Sequence, residues 1–511
     1  MRRILPFILA FVMLLGSVTA LISCKNDKPE GSATPTKSAS DSASGSSTPT
    51  PSGSGSEQED DDDDVFKKLG IKPVNYNEQT VHVFHWIAQE NEYEIKEDET
   101  DGNPIDDAIY KKNLYTEQLL NVDLDFFATA GHGGAQQEFA DALGRRIEDP
   151  MTPVDIVSAY GRTMGVVTTR GFLTDLYEYD DLDLTKDWWP RDMQNEFKIK
   201  DRLYFISGDI STNLLHMMYA IYYNRDLAEK YNVDDLVAKV KNKTWVLDDL
   251  IGYTKGTYED KDGEPGATKG DFYGMTFPYF YMDALIQGSN FHLAEPSDAD
   301  DEAIRITDEF YSETFGNFID KMIAWVHSGD ICNETDYSGI SNFVFENGNA
   351  IFHIDSTAYG MKLKTTDINF GILPSPMLNA EQGRYYTSIA NPFSAYGVCR
   401  KSQDGDRAAV VMQTLGYYGK RLTTPAIFEV TYQGKLSVTG EYMEMYEYLR
   451  DAISFDIGRI YHNQLNALAD IPTYNAITKG VSWAVAMGAF QKGTLNNKLR
   501  ALNKTLLSLE Q

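Results

Sequence analysis

Strand-like and helix-like hydrophobic patterns alternate along the chain from residue 65 onward. Residues 80–88 (TVHVFHWIA) alternate β-branched and aromatic side chains and predict a strand. Residues 108–120 predict a helix, 122–127 a second strand, 139–147 another helix, and 154–160 a short buried strand. This βαβαβ order predicts a parallel sheet with right-handed crossovers.

The same alternation continues through the second half of the chain. Helices are predicted at 227–231, 246–254 and near 318–327, and strands at 350–354, 370–373 and 395–399. Residues 481–509 are largely helical in pattern, and no internal repeat is visible. The fold class is therefore α/β, and a chain of 511 residues is long enough for two lobes.

Composition and charge exclude several classes of protein. The chain has 76 acidic residues against 46 lysines and arginines, a net charge of −30, so a nucleic-acid-binding surface is excluded. Its apolar fraction of 42% can fill a core. Three cysteines are too few for a disulfide-dense scaffold.

The N-terminus has the pattern of an export signal. Arg2 and Arg3 precede an apolar run at 4–20, and the following Leu-Ile-Ser-Cys at 21–24 resembles a bacterial lipobox. This order predicts a signal peptide at 1–23, a lipidated Cys24, and a location on the extracellular face of the cell membrane. The alternative is an uncleaved helix, because about 19 apolar residues could just span a bilayer.

Residues 24–64 form a low-complexity linker of small, polar and acidic residues that ends in five consecutive aspartates. Such a segment lacks apolar side chains for a core and is predicted to be disordered. As a flexible coil it would reach roughly 35 Å, enough to hold a folded body away from a membrane. Calcium binding by the aspartate run is the alternative to a solvated spacer.

Seven short phrases follow one another in the order found in a known family. They are PVDIV at 153–157, GFLTDL at 171–176, RLYFI at 202–206, IYYNRDL at 221–227, KTW at 243–245, FENGNAIF at 345–352 and FGILPSP at 370–376. In this order they resemble the extracellular solute-binding proteins (family 1, maltose-binding-protein-like) of carbohydrate ABC importers. A segment at 424–458 resembles large clostridial members, and with the lipobox it suggests a lipoprotein of a Gram-positive bacterium.

The resemblance implies a two-lobed, periplasmic-binding-protein-like fold of type II, with a mixed sheet in each lobe and the ligand in the cleft between them. Lobe 1 would comprise 65–209 plus 391–440, and lobe 2 would comprise 210–390 plus 441–511. The protein would be a monomeric, non-enzymatic receptor without a cofactor. It would capture a small polar solute, first of all an oligosaccharide, and deliver it to the subunits of an ABC permease.

The resemblance also implies where the ligand would bind, because such sites lie in the loops that follow strand ends. Aromatic faces and hydrogen-bonding side chains would hold the ligand. For each position, the alternative is a core aromatic or a capping polar residue. The proposed ligand-binding residues are Trp86, Tyr160, Arg162, Asp209, Asn213, Tyr281, Asp283, Asp355, Asn391 and Trp483.

Two rival functions and one metal site stay open on the residues alone. No catalytic motif occurs, yet a glycosidase needs only two carboxylates across a cleft. A surface sensor or adhesion lipoprotein is the other rival. Asp260, Asp262, Glu264 and Asp271 fit a calcium-loop spacing, but Pro265 stands where the loop needs glycine, so an exposed acidic hairpin is the preferred interpretation.

Overall fold

The alternating pattern folds into two main sheets, of four and five strands, with helices around them, and the described residues also contain two two-stranded sheets. The computed structural model describes residues 62–98, 102–265, 268–336, 338–432, 439–468 and 470–509. Cys24, the apolar run and the linker before residue 62 lie outside these ranges. Within them, no helix combines the length and apolar composition needed to cross a membrane.

The first sheet has the strand order β12-β3-β1-β2, and the second has the order β10-β4-β9-β5-β8. The strands are β1 (Gln79–Ile87), β2 (Val122–Ala130), β3 (Ile156–Tyr160), β4 (Tyr219–Asn224), β5 (Tyr273–Pro278), β6 (Ala294–Pro296), β7 (Ile304–Ile306), β8 (Ile331–Glu334), β9 (Ala350–Ser356), β10 (Phe370–Leu373), β11 (Thr387–Ser388), β12 (Ser394–Val398) and β13 (Ile453–Ser454).

The α-helices of the described ranges cover these sheets. They are α1 (Asp62–Leu69), α2 (Pro104–Leu120), α3 (Gln136–Glu148), α4 (Gly161–Thr169), α5 (Met193–Phe197), α6 (Thr212–His216), α7 (Arg225–Lys230), α8 (Leu236–Lys241), α9 (Leu247–Thr254), α10 (Asp283–Gly288), α11 (Glu313–Val326), α12 (Ile340–Glu346), α13 (Tyr359–Leu363), α14 (Gly405–Tyr418), α15 (Thr424–Tyr432), α16 (Thr439–Asp451), α17 (Ile457–Ile460), α18 (Ile471–Lys479), α19 (Trp483–Ala486) and α20 (Ala489–Ser508).

The predicted βαβαβ unit is confirmed. β1 pairs in parallel with both β2 and β3, and β12 adds an antiparallel edge. Helix α2 begins at Pro104, four residues before the predicted start. The Asn103 side chain accepts a hydrogen bond from the Ile105 N–H at 3.1 Å, and proline suits the first helical position because it lacks an N–H.

Three segments connect the regions of the two sheets. The first crossing (207–218) leads from Ile206, which bridges Tyr396 of β12, to β4. The second crossing (389–393) leads back to β12. The third crossing (452–456) contains β13, which pairs in parallel with β11 just before the second crossing. Three segments therefore lie side by side where the two sheets approach.

The C-terminal segment contacts elements of both regions. Helix α17 packs on α4 beside the first sheet, and α18 packs on α11 beside the second. Helix α20 packs on α4 and on β7, where Asn503 accepts from the N–H groups of Ala303 and Ile304 at 3.0 and 2.9 Å. The lobe boundaries given above stay predictions.

Candidate functional site

Two arginines, two aspartates and a tyrosine from distant parts of the chain meet in a buried group. We call these residues the Arg459 cluster: Arg162, Asp283, Arg459, Asp470 and Tyr474. Arg162 lies two residues after β3 of the first sheet, and Asp283 lies five residues after β5 of the second. The cluster therefore connects the carboxyl end of one strand in each sheet, which is where α/β folds place their ligand sites.

Arg459 is the residue that joins the most segments. Its side chain is 10% exposed, and Nη2 lies 2.9 Å from Asp283 Oδ2. The guanidinium also donates to Ser388 Oγ and to Asn391 Oδ1, each at 3.0 Å. Burial alone would lower the pKa of Arg459, but Asp283, together with Tyr474, Tyr219 and Asp456, outweighs it and raises that pKa above its ordinary value. Arg459 is therefore charged.

Local sequence places Arg459 at this point. The Asp456 side chain caps α17 by accepting from the Gly458 N–H at 2.8 Å, and it also accepts from the Leu293 N–H at 2.7 Å. A Cβ atom at Gly458 would lie 2.6 Å from Leu293 Cδ2. Glycine is thus needed for the close approach, and the capped turn holds Arg459 toward the cluster.

Asp283 opens α10 and has two partners in the cluster. The Tyr474 hydroxyl donates to Asp283 Oδ2 at 2.7 Å, beside the ion pair with Arg459. Burial raises the pKa of Asp283, while Arg459 and Tyr474 lower it. Burial and the nearby Asp283 also keep the pKa of Tyr474 well above its ordinary value, so its hydroxyl remains a donor.

Arg162 and Asp470 form the second ion pair of the cluster, with 2.6 Å between Nη2 and Oδ2. His462 Nδ1 lies 3.1 Å from the same Asp470 oxygen. Burial would raise the pKa of Asp470, but His462, Arg162 and Arg459 together outweigh it, so the pKa is lowered. Because Asp470 precedes α18, this pair links a helix of the first region to one that packs beside the second sheet.

Trp86 and Tyr160 stack edge to face on the first-sheet side, with ring centroids 5.4 Å apart. Trp86 has no exposed surface, and its Nε1 donates to Ser394 Oγ at 2.8 Å. Tyr160 is 5% exposed, and the charges of Arg162 and Arg459 act on its hydroxyl. Tyr160 therefore borders the cluster, and Trp86 supports it from behind.

Tyr281 and Asp355 approach the cluster on the second-sheet side through Tyr219, on whose hydroxyl Asp283, Arg459 and Asp355 all act. Tyr281 is hydrogen-bonded to Asp355, and its ring lies 5.0 Å from that of Tyr219. Asp355, near the end of β9, also accepts from Asn342 Nδ2 at 2.9 Å. Burial first and Asp355 second raise the pKa of Tyr281 well above its ordinary value. Tyr281 is partly exposed, so its ring is accessible to a bound molecule.

Asp209 lies away from the cluster. It forms an ion pair with Arg450 and accepts from Thr424 Oγ1 at 2.7 Å. Asp209, Trp188 and Arg450 line a separate cavity of about 520 Å³, the largest of those that border the residues discussed here. Asp209 is the only one of the ten proposed ligand-binding residues that lines this cavity, whereas several of them meet at the Arg459 cluster.

Asn213 and Trp483 also have partners elsewhere. The Asn213 amide donates to the Pro392 carbonyl, so it joins the first and second crossings. Trp483 is 7% exposed, its Nε1 donates to the Phe310 carbonyl at 3.2 Å, and its indole meets the rings of Phe310 and Phe315 edge to face at 5.0 Å. Six of the ten proposed residues therefore lie in or beside the cluster: Tyr160, Arg162, Tyr281, Asp283, Asp355 and Asn391. Trp86 lies behind Tyr160, and Asp209, Asn213 and Trp483 lie elsewhere.

Glu94 joins the first crossing to β12 of the first sheet. Its carboxylate accepts from Ser211 Oγ at 3.1 Å, from the Asn213 N–H at 2.8 Å and from the Tyr396 hydroxyl. Glu94 and its charged neighbour Lys112 are 1% and 2% exposed. Burial raises the pKa of Glu94, and the Lys112 charge and these hydrogen bonds oppose it.

The acidic hairpin is confirmed as a hairpin, closed by a bridge between Glu259 and Phe272. Carboxylate oxygens of Asp260, Asp262 and Asp271 lie within 4.8 Å of one another. Asp271 is fully buried, contrary to the expectation of an exposed acid, and it accepts from the Thr268 N–H at 2.8 Å. Asp271 therefore has a structural role in the hairpin.

Sequence reasoning missed Arg459, Asp470 and Tyr474. Their segment has no strong hydrophobic period, and charged residues in such a segment are read as exposed. The one local signal was Asp456 followed by Gly458, a pattern that predicts a capped helix start just before Arg459. The ion-pair partner of Arg459 could not be predicted from the sequence, because Asp283 is far from Arg459 along the chain.

The cluster can hydrogen-bond to a polar molecule. It contains two guanidinium groups and two carboxylates, so its charges balance. Three buried atoms have no hydrogen-bond partner: Nε of Arg162, Nε of Arg459 and Oδ1 of Asp470. Cavities of about 10 and 30 Å³ border these residues. Such volumes hold roughly one water molecule each, so a larger ligand requires the surrounding segments to separate.

No protein-family model and no curated protein matches the chain. Solved structures do match. The GacH receptor of Streptomyces glaucescens GLA.O aligns with a TM-score of 0.52 at 13% identity, over 84% of this chain and 99% of that chain. A cyclo/maltodextrin-binding protein complexed with maltotetraose gives 0.53 at 14% identity, over 85% and 99%.

The galacto-N-biose/lacto-N-biose I-binding protein of an ABC transporter from Bifidobacterium longum, in complex with lacto-N-biose, gives a TM-score of 0.55 at 11% identity, over 84% of this chain and 98% of that chain. These neighbours are binding proteins, and identities this low establish a shared fold alone. The chain has the two-lobed α/β fold of solute-binding proteins.

Proposed function

We propose that the protein is a lipid-anchored extracellular receptor that captures an oligosaccharide in its cleft and delivers it to an ABC permease. The fold supports this proposal, because structural neighbours were solved with acarbose, maltotetraose and lacto-N-biose, and one is named as part of an ABC transporter. The proposed anchor is Cys24, at the end of the signal-like segment.

The observation that carries the proposal is the charge-balanced Arg459 cluster with free donors and a free acceptor. A sugar hydroxyl both donates and accepts a hydrogen bond, so it can bind a guanidinium N–H and a carboxylate oxygen together. An anionic ligand would require an excess of guanidinium groups. Each guanidinium here is already neutralised by an aspartate, at 2.6 and 2.9 Å. The cluster therefore favours a neutral, hydroxyl-rich ligand.

Aromatic rings border the cluster on two sides. Tyr160 is the last residue of β3 in the first sheet, and Tyr281 follows β5 of the second sheet and is partly exposed. Ring faces pack against the C–H surfaces of a sugar while its hydroxyl groups bind the polar side chains. A ligand that contacts both tyrosines would stabilise the closed arrangement of the lobes, because neither lobe alone offers both surfaces.

A thermal-shift screen over neutral mono- and oligosaccharides tests the proposal. Binding at 100 times the dissociation constant should stabilise the native protein by about 2.7 kcal/mol. Uronic acids and sugar phosphates serve as anionic probes in the same screen, and product analysis by chromatography detects cleavage. Stabilisation by anions only, or cleavage of a stabilising sugar, would overturn the proposal.

A further inference from the structure

The segment after the third crossing packs on helices of the first-sheet region, although its place in the chain assigns it to the predicted lobe 2. We call residues 457–465 the docked segment. Its helix α17 packs on α4, and it also packs on β6, which in turn contacts α5 before the first crossing. A Cβ atom at Gly165 of α4 would clash with the Ile460 carbonyl oxygen. The two backbones are therefore in direct contact, and position 165 requires glycine.

Side chains fix the rest of the docked segment to the same helices. The Gln464 amide donates to the Gly165 carbonyl at 3.1 Å and lies 3.2 Å from Thr169 Oγ1, at the end of α4. The Asn463 amide donates to Gln136 Oε1 in α3. The docked segment is therefore bound to two neighbouring helices of the first-sheet region.

Two large side chains of the docked segment, Tyr461 and Leu465, have no exposed surface. The Leu465 N–H donates to the Tyr461 carbonyl at 2.9 Å, so the two residues lie one turn apart. Release of the segment would expose both side chains to water, which is unfavourable for apolar surface. The docked segment is therefore expected to stay on α3 and α4 when other parts of the body move.

The docked segment is followed by two residues in the left-handed backbone conformation. Asn466 and Ala467 both have a φ of 57°. This conformation is unfavourable for alanine, because its Cβ approaches the following carbonyl oxygen. The Ala467 N–H donates to the His462 carbonyl at 2.9 Å, so a backbone hydrogen bond closes the turn. Opening of the turn would relieve the strained backbone, as expected of a hinge point.

Beyond this turn, the chain packs on the second-sheet region. Helix α18 packs on α11, where His327 Nε2 lies 2.9 Å from the Ile477 carbonyl oxygen. The Tyr474 hydroxyl donates to Asp283 in α10. The chain thus passes from the first-sheet region to the second-sheet region once more, at residues 466–468.

The Arg162–Asp470 ion pair spans this passage. Arg162 lies in α4, on which the docked segment packs, and Asp470 lies directly before α18. The two side chains are 15% and 4% exposed and lie 2.6 Å apart. Separation of a pair this buried leaves each charge without its partner. The pair therefore opposes any movement of α18 away from α4.

We propose that residues 466–468 are a fourth hinge crossing, that the docked segment moves with the first sheet, and that the Arg162–Asp470 pair holds the crossing closed. Opening would then separate Arg162 and Arg459, which stay with the first sheet, from Asp283 and Asp470, which stay with the second. The proposal rests on the proposed function only for the purpose of the opening, which is to admit a ligand.

Hydrogen exchange measured by mass spectrometry on the ligand-free protein tests the proposal. In Asp470→Asn, peptides containing 466–468 should exchange about tenfold faster than in the wild type, because loss of a buried pair favours local opening. Peptides within 457–465 should keep the wild-type rate. The control is Asp141→Asn, which breaks the more exposed pair with Arg170 between α3 and the end of α4 and should change neither rate.

Small-angle X-ray scattering of the same ligand-free proteins provides a second readout. Asp470→Asn should have a larger radius of gyration than the wild type, because the open form gains population. Asp141→Asn should keep the wild-type value. Because neither measurement uses a sugar, the result does not depend on whether the protein binds one.

A second variant covers the case in which Asp470→Asn does not fold. Arg162→Gln removes the same pair from the first-sheet side and should give the same pattern, and the double variant should add little to either single change. Faster exchange within 457–465 as well as at 466–468 would overturn the proposal, because the docked segment would then move with the second sheet. Unchanged exchange at 466–468, or an unchanged radius of gyration, would also overturn it.

Discussion

Arg459 and Asp283 form an ion pair of 2.9 Å that joins a helix after the third crossing to the first turn of α10. Because both side chains are at least nine-tenths buried, bulk water cannot replace the lost partner of either charge. Removing one partner of a buried pair leaves the other charge uncompensated, which costs far more than the pair contributes.

Asp283→Asn should therefore lower the free energy of unfolding by roughly 3–5 kcal/mol, because Arg459 keeps its charge in a buried site. Urea denaturation at neutral pH measures this change. The control is Asp248→Asn, which breaks the exposed pair with Lys321 at 2.7 Å and should cost less than about 1 kcal/mol. Equal losses in the two variants would contradict the role given to burial.

The Arg162–Asp470 pair should make stability depend on pH. The pKa of Asp470 is lowered in the folded protein, so this carboxylate adds stability above its unfolded pKa of about 3.9. That stability is lost as pH falls through the lower folded pKa. Asp470→Asn should thus be destabilised most above about pH 5, with a smaller difference from the wild type near pH 3. Urea midpoints across this range provide the measurement.

Trp483→Ala should cost roughly 3–5 kcal/mol of stability, because the indole packs edge to face on Phe310 and Phe315 and its removal leaves a cavity.

Tyr281→Phe should cost about 1 kcal/mol of stability, because the hydroxyl loses its hydrogen bond to Asp355, and it should weaken sugar binding. Calorimetric titration with a sugar from the thermal-shift screen separates the two effects. Unchanged affinity in Tyr281→Phe would remove its hydroxyl from the proposed site.

Small-angle X-ray scattering should show the protein contracting when a binding sugar is added. The cavities beside the Arg459 cluster hold about 10 and 30 Å³, so entry of a sugar requires an open form that closes afterwards. Arg162→Lys keeps the charge but loses the planar fork, and it should reduce the contraction at a fixed sugar concentration. A radius of gyration that stays fixed during saturation would contradict lobe closure.

Cys24→Ala should release the protein from membranes or leave the precursor uncut, since the lipid would be attached to this sulfur. Fractionation of cells and mass spectrometry of the mature N-terminus measure both outcomes. Ser23→Gly, which keeps a small residue before the cut, is the matched control and should stay membrane-bound. A soluble wild-type protein with another N-terminus would end the lipoprotein hypothesis.

Local patterns were enough to predict the elements that depend on local chemistry. The alternation at 80–88 predicted β1, found at Gln79–Ile87, and the βαβαβ order predicted the parallel pairing. The start of α2 was placed late because Asp106 and Asp107 interrupt the apolar pattern. Asn103 and Pro104, a cap followed by a proline, carried the correct signal.

Part of the candidate site was predictable from residues near predicted strand ends. Tyr160, Arg162 and Asp355 were proposed in this way, at the ends of β3 and β9. Arg459 and Asp470 reach Arg162 only because the chain crosses a third time, and no local pattern encodes that path. Trp483 does open a helix as expected, but the direction of its indole is set by Phe310, far away in the sequence.

The position of Glu94 has a consequence for how the body can be divided. A piece made of the predicted lobe 1, residues 65–209 plus 391–440, would keep Glu94, Lys112 and Tyr396 but lose Ser211 and Asn213, which donate two of the three hydrogen bonds to the carboxylate. The surface that buries Glu94 would then be exposed to water. A lobe cut out at residue 209 is therefore expected to be less stable alone than as part of the whole body.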